Sequence, residues 1–293
     1  MIGYSFGALG TIALLCCAVR VPAITYYLRT SGNDAHAGTS PETAWRTLKR
    51  ASSATFQQGD TLLLEGGARF EGSLEIQPSS HGTEAHPITI GSFGKGRATL
   101  HAGNGTGISL KNTSGIVIKN LHVVGAWDAN QQAGNEGHGI LAYSDLPQGA
   151  KLPFLRIENV EVSGFKQGGI VIGAYPADKS KSGFVNIRIA RCLVHDNGDN
   201  GIRSYGYYDI ESKGYAHQNV AISHCEVYNN RGLVKSQSHT GNGIVLSDVE
   251  GAMVERCVAH HNGEFSPLEA GGGPVGIWAW DADQSHPSAQ RVL

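Results

Sequence analysis

Charge is scarce in this sequence: only 16% of its 293 residues are Asp, Glu, Lys or Arg, and the formal net charge is −2. No basic run stands out to neutralise phosphates, which argues against nucleic acid as a partner. Helical periodicity is almost missing, and so are long apolar runs. The one apolar run, FGALGTIALLCCAV followed by Val21, Pro22 and Ala23, has secretory length and small residues at a cleavage point after Ala23. It predicts a signal peptide over 1–23 and a secreted or periplasmic protein with no membrane contact once the signal is removed. Its first residues lack Lys and Arg, and a buried first strand is the other reading of the segment. Leu15 before Cys16 fits a lipoprotein cleavage site poorly.

Glycine, by contrast, is plentiful, at 40 residues, as suits a chain that turns every few positions. A frame repeats along the chain: IENVEVSGFKQGGIVIG from Ile157, IARCLVHDNGDNGIRSY from Ile189, ISHCEVYNN then GNGIVLSD from Ile222, and VERCVAHHNG then GPVGIWAWD from Val254. An earlier copy starts at Ile118. Cys192, Cys225 and Cys257 share one slot, 33 and 32 residues apart, which Leu121 and Val160 fill in the earlier copies. That slot is apolar. Asn197, Asn230 and Asn262 share another, where stacked amides can bond from coil to coil. Gly-Ile follows in each copy, with the isoleucines at 140, 170, 202, 244 and 277. Each copy thus holds short β-branched runs of alternating polarity joined by Gly/Asn turns.

Parallel strands at this period, with apolar stacks and an Asn ladder, resemble the right-handed parallel β-helix superfamily of pectate-lyase-like proteins. The resemblance implies an all-β, single-stranded solenoid over 24–293: a cap over 24–60, irregular early coils over 61–114 and regular coils over 115–293. The opening YYLRTSGNDAHAGTSPETAWRTLKRA is similar to the start of secreted members, where a strand and a short helix plug the first coil. Ser40 as cap, Pro41 at the first helical position, and Ala44, Leu48 and Ala51 at helical spacing predict that helix directly. At the other end the frame reaches GIWAWDAD and gives way to SHPSAQRVL, in which no capping pattern is legible, so the C-terminal end is expected to be truncated. The protein is expected to be a monomer. The three repeat cysteines point the same way into the core, which disfavours disulfide torsions, so they are expected to be free and inert.

Function must then come from the outward face. With Ile inward, alternation exposes Leu141, Val171, Arg203, Val245 and Trp278 in one slot and Tyr143, Gly173, Tyr205, Ser247 and Trp280 in the next. Inserts 126–137, 231–241 and 263–274 enter before this strand, and 173–183 and 206–218 after it. They predict a walled groove with aromatic and polar lining, which suits a polysaccharide.

The resemblance implies β-elimination from a uronic-acid polymer, in which a base takes the proton beside the carboxylate while Ca²⁺ or an arginine neutralises the developing charge. Arg203 is the expected cation and His138 the base, with Tyr205 and His239 as further catalytic candidates. Tyr143, Trp278, Trp280, Asn200 and Asn242 are expected to bind substrate, and Asp248 and Asp281 to hold a metal, Ca²⁺. Asp145 and Asp209 lie close by, although Asp also simply ends strands. His138 shares its slot with Asn200 and Asn242, so that slot also reads as a second polar ladder. The Gly-His-Gly at 137–139 matches the pectin-hydrolase branch, but the paired aspartates of that branch are not found nearby, and the Asp-Pro-His-Asp of alginate epimerases is absent. A non-catalytic carbohydrate-binding or adhesin solenoid, and a purely structural or inactive chain, remain as alternatives. The first would need Trp278 and Trp280 but not Arg203.

Overall fold

The computed structural model describes residues 22–208, 213–236, 239–266 and 274–283. The chain forms a parallel β-solenoid of about eight turns with almost no helix. Every regular coil adds one strand to each of three faces. The Gly-Ile face runs Leu74–Ile76, Ile108–Lys111, His138–Ser144, Gly168–Ala174, Asn200–Tyr205, the first part of Asn242–Glu255, and Ile277–Asp283. The second runs from Thr25–Leu28 through Lys151–Glu158, Gly183–Ala190 and His217–Ser223 to the rest of Asn242–Glu255. The third runs from Arg69–Glu71 to Val258–His260. All of these neighbours pair in parallel.

The repeat frame maps onto this register. Ile140 pairs with Ile170, Ile170 with Ile202, Ile202 with Ile244, and Ile244 with Ile277. The first four are essentially unexposed, and each such side chain contributes about 1.5–3 kcal/mol by leaving water. The glycines before Ile140, Ile170, Ile202 and Ile244 have a steric cause: a Cβ on Gly201, for one, would stand 2.1 Å from Val227 Cγ1. Leu121, Val160, Cys192 and Cys225 are buried in the shared apolar slot, and Cys257 partly so. All three cysteines are free thiols. The neighbouring Cys192 sulfur, helped by burial, pushes the Cys225 thiol up to about 12.

The corners are built from left-handed residues. Asn120, Asn159, Arg191, His224 and Arg256, each just before the Leu/Val/Cys slot, have φ of 56°, 53°, 53°, 55° and 51°. Asn suits that conformation, and Asn159 Nδ2 also donates to Asn120 Oδ1 at 2.7 Å. At the next corner the predicted ladder is present: Asn197 Nδ2 donates to Asn230 Oδ1, and Asn230 Nδ2 to Asn262 Oδ1, both at 2.9 Å. The same oxygens accept the backbone N–H of Asn197 and Asn230. Each rung therefore satisfies buried backbone and side chain together.

The N-terminal helix is shorter than the sequence suggests. It spans Leu48–Ser52, with Thr47 as N-cap accepting from Arg50 N, and not a helix begun at Ser40 and Pro41. Ser40 and Thr43 instead close a turn on each other. Trp45 is extended, its N–H donating to Tyr27 O and its carbonyl accepting from Arg29 N. The indole is 1% exposed and stacks on Tyr26 at 4.9 Å, a burial that outweighs helical propensity there. Residues 1–21 of the expected signal segment and the tail SHPSAQRVL lie outside the described residues. Among the described residues, no helix is long and apolar enough to cross a membrane.

Candidate functional site

The outward slots of the Gly-Ile face converge at its late coils. Val171 pairs with Arg203, Arg203 with Val245, and Val245 with Trp278. Between Tyr205 and the next strand the ladder is completed by a side chain: Ser204 Oγ donates to Ser247 O and accepts from Ser247 N, both at 2.9 Å. This explains why a polar residue occupies an inward slot.

A cavity of about 490 Å³ opens over these strands. Arg203, Tyr205, His239, Asn200, Asn242, Trp278 and Trp280 all line it, so seven of the nine predicted catalytic and substrate-binding residues meet in one place. Asn242 Nδ2 donates to Asn200 Oδ1 at 2.8 Å, which makes that slot a ladder step as well as lining. His239 leans on Trp278 at 5.0 Å from the wall before the strand. Tyr208 leans on Trp280 at 4.9 Å from the wall after it. Trp280 is 41% exposed and Tyr208 51%, large areas for aromatic rings without a ligand.

Arg203 holds the polar end. Its Nη1 donates to Asp199 Oδ2 at 2.6 Å, and its guanidinium lies 5.1 Å from the Tyr205 ring centroid. The side chains differ in access: 32% of Arg203 is exposed against 11% of Asp199. Burial raises the Asp199 carboxyl, and the Arg203 charge opposes that shift. The cation is therefore the member that faces the cavity, with most of its five donors unspent on the pair. Burial also raises the Tyr205 phenol, so it is a proton donor at neutral pH rather than a base. Under it, His217 Nδ1 accepts from Phe184 N and Nε2 donates to Tyr205 O at 2.9 Å. Burial above all drives His217 down to about 4, so this neutral imidazole pins the backbone that carries the phenol.

Two predicted residues lie elsewhere. His138 is not part of the cavity; it pairs with Gly168, and its Nδ1 is buried without a hydrogen-bond partner among the described residues. Burial, then the Arg203 charge, lowers it to about 4. Tyr143 also stands outside, its hydroxyl donating to Tyr175 O at 3.2 Å. The metal assignment does not fit. Asp248, left-handed at φ 57°, is 1% exposed, and its oxygens accept from the Lys181 ammonium at 3.0 Å and from Ala216 N. A carboxylate turned into the corner onto a lysine offers no oxygen to Ca²⁺ in the groove. The Asp281 side chain and Asp209 lie outside the described residues. Among the described residues, no three His, Cys, Asp or Glu converge to hold a metal ion. Asp145 pairs with Lys111 at 2.6 Å.

Sequence reasoning missed Asp199 and Tyr208. Asp199 precedes Asn200 in DNGIRSY and reads as a turn residue, and only its spacing of four from Arg203 hinted at a pair.

The family model for the right-handed β-helix region matches residues 96–287. Among solved structures, the chain is similar to the GH136 lacto-N-biosidase of Eubacterium ramulus. The selenomethionine derivative aligns with a TM-score of 0.71 and 20% identity over 88% of this chain and 50% of that one. The native form gives 0.68 and 21% over the same shares. A pectate lyase, Pel9A, aligns at 0.45 and 13% over 90% of this chain and 79% of that one. At these identities the likeness is one of fold, and the chain spans half the length of the lacto-N-biosidase. No curated protein matches the sequence.

Proposed function

The chain belongs to the right-handed β-helix family, and on that footing we propose that its late-coil cavity binds a uronic-acid-containing polysaccharide and cleaves it by β-elimination. The observation that carries this reading is the Arg203–Asp199 pair, which turns a partly exposed guanidinium toward a cavity walled by Tyr205, Tyr208, Trp278 and Trp280. Aromatic rings take the apolar faces of sugars, the Asn200 and Asn242 amides take hydroxyls, and the guanidinium suits a carboxylate.

In the proposed step, Arg203 neutralises the uronate carboxylate, which acidifies the adjacent C–H. His239 removes that proton, and the electron pair forms a carbon–carbon double bond as the bond to the glycosidic oxygen breaks. The leaving oxygen takes a proton from Tyr205, whose raised phenol is protonated for the purpose. His239 thus takes the place expected for His138. The supporting likeness to the lacto-N-biosidase is one of fold, and the site's work is placed outside the cytoplasm on the expectation that 1–23 is a signal peptide.

The test is to incubate the protein with a panel of uronic-acid polymers, with and without Ca²⁺, and to follow the ultraviolet absorbance of the unsaturated product. Turnover lost in Arg203→Ala and Tyr205→Phe supports the mechanism. Glycan binding without turnover, abolished by Trp280→Ala and retained in Arg203→Ala, selects a non-catalytic binding solenoid, a reading favoured by the exposed Trp280 and Tyr208 rings.

A further inference from the structure

Two inserts far apart in sequence clasp each other beside the groove. Gln132 Nε2 donates to Gly232 O, 100 residues away, and Gln132 Oε1 accepts from Val234 N at 3.0 Å. Arg231 Nη1 donates to Asn130 Oδ1 at 2.9 Å. The first insert is shaped by Asp128, whose Oδ1 accepts from Asn130 N and Gln131 N. At this corner the two intervening coils have only the short connections 164–167 and 196–199, so the inserts meet over them. Leu233 seats against Gly198, where a Cβ would stand 2.8 Å from Leu233 Cδ2.

Under the clasp is a cavity of about 450 Å³, separate in its lining from the groove. Trp127 forms its floor, with the Lys166 ammonium 5.9 Å from the ring centroid. Leu233 and Val234 give an apolar wall, and Val234 is 52% exposed. Lys166 is paired with Glu136, but Lys235 has no ion pair, and the Gln131 side-chain amide no hydrogen bond, among the described residues. An aromatic and aliphatic pocket with one uncommitted cation and one uncommitted amide has the makeup of a site for a small anion with an apolar face.

We propose that this cavity is a second glycan site, outside the groove, which takes a single acidic sugar residue. Its carboxylate meets Lys235, a ring hydroxyl meets the Gln131 amide, and the apolar ring face lies against Leu233, Val234 and the Trp127 edge. The assignment to a uronate rests on the reading of the groove given above. A second site would hold the polymer beside the groove and raise its effective concentration there.

The test uses the full chain with the trisaccharide of galacturonic acid, and the neutral galactose trisaccharide as control, in titration calorimetry. Wild type is expected to show two binding events, and Arg203→Ala/Trp280→Ala one. In that background Lys235→Ala, an exposed change that leaves the fold intact, should weaken the remaining event about tenfold, the loss of one charge-assisted hydrogen bond. Gln131→Ala should weaken it less, and the neutral trisaccharide should bind no better than the acidic one binds Lys235→Ala. A single wild-type event, removed entirely by the groove substitutions, overturns the second site. So does a remaining event indifferent to Lys235→Ala, or equal affinity for the neutral sugar. A clasp event without a groove event sinks the groove reading and leaves the second site standing; no event at all sinks both.

Discussion

Tyr205 lies flat over Gly173, its partner one coil back, with the ring where a Gly173 side chain would be: a Cβ there would stand 2.4 Å from Tyr205 Cζ. The groove floor is thus set by a missing side chain as much as by a present one. Gly173→Ala is expected to lift the phenol from its seat and cost about 1–3 kcal/mol of stability through overpacking. Glycan affinity measured by calorimetry should fall with it. Unchanged affinity and unchanged thermal midpoint would show that the ring relaxes freely.

The ladder predicts a different kind of loss. Asn230 is 0% exposed, and its amide serves Asn197, Asn262 and Val194 O. Asn230→Ala strands several buried donors and acceptors at once, and should cost about 2–4 kcal/mol in urea denaturation. The partly exposed terminal rung gives the control, and Asn262→Ala should cost less.

Stability should depend on acid through His217. Its folded value of about 4 lies below the ordinary 6.5, so the unfolded chain binds the extra proton first as pH falls. The contribution is complete above pH 6.5 and is lost progressively toward pH 4, with a magnitude of about 3 kcal/mol. His138, also near 4, adds in the same direction. Thermal midpoints between pH 7 and pH 4 check this, and His217→Gln should flatten the decline; an equally steep decline in the variant would assign it to other groups.

Asp248 and Lys181 form a nearly solvent-free pair, 1% and 12% exposed. Asp248→Ala leaves the ammonium buried without its counter-charge and should cost about 3–5 kcal/mol. Adding Ca²⁺ to the wild type should leave its thermal midpoint where it was, because the carboxylate is already spent. A calcium-dependent rise lost in Asp248→Ala would restore the metal assignment.

What was legible in the sequence is what repeats. Ile140 to Ile277, Cys192 to Cys257 and Asn197 to Asn262 occupy the same place in successive coils, so their chemistry shows in the frame itself. Arg203, Tyr205, Trp278 and Trp280 followed from alternation on a strand whose inward side was known. The rest depended on contacts between distant segments. Trp45 unravels the expected start of the helix because Tyr26 and Leu28 offer it a better place. Asp248 turns inward because Lys181, 67 residues earlier, reaches it. His138 misses the cavity because the inserts that make the walls, carrying His239 and Tyr208, close over later coils.

The clasp between Gln132 and Val234 also counts. A stack of like coils is ordinarily indifferent to its own length, since removing one unit re-creates the same interface. Here the two jaws meet only because two short-cornered coils lie between them. Deleting one would leave core and ladder satisfied yet draw the jaws together by about 4.8 Å, and inserting one would part them. The spacing of these inserts thus acts as a ruler within an otherwise open-ended stack, and it makes the number of coils in this stretch part of the protein's specification.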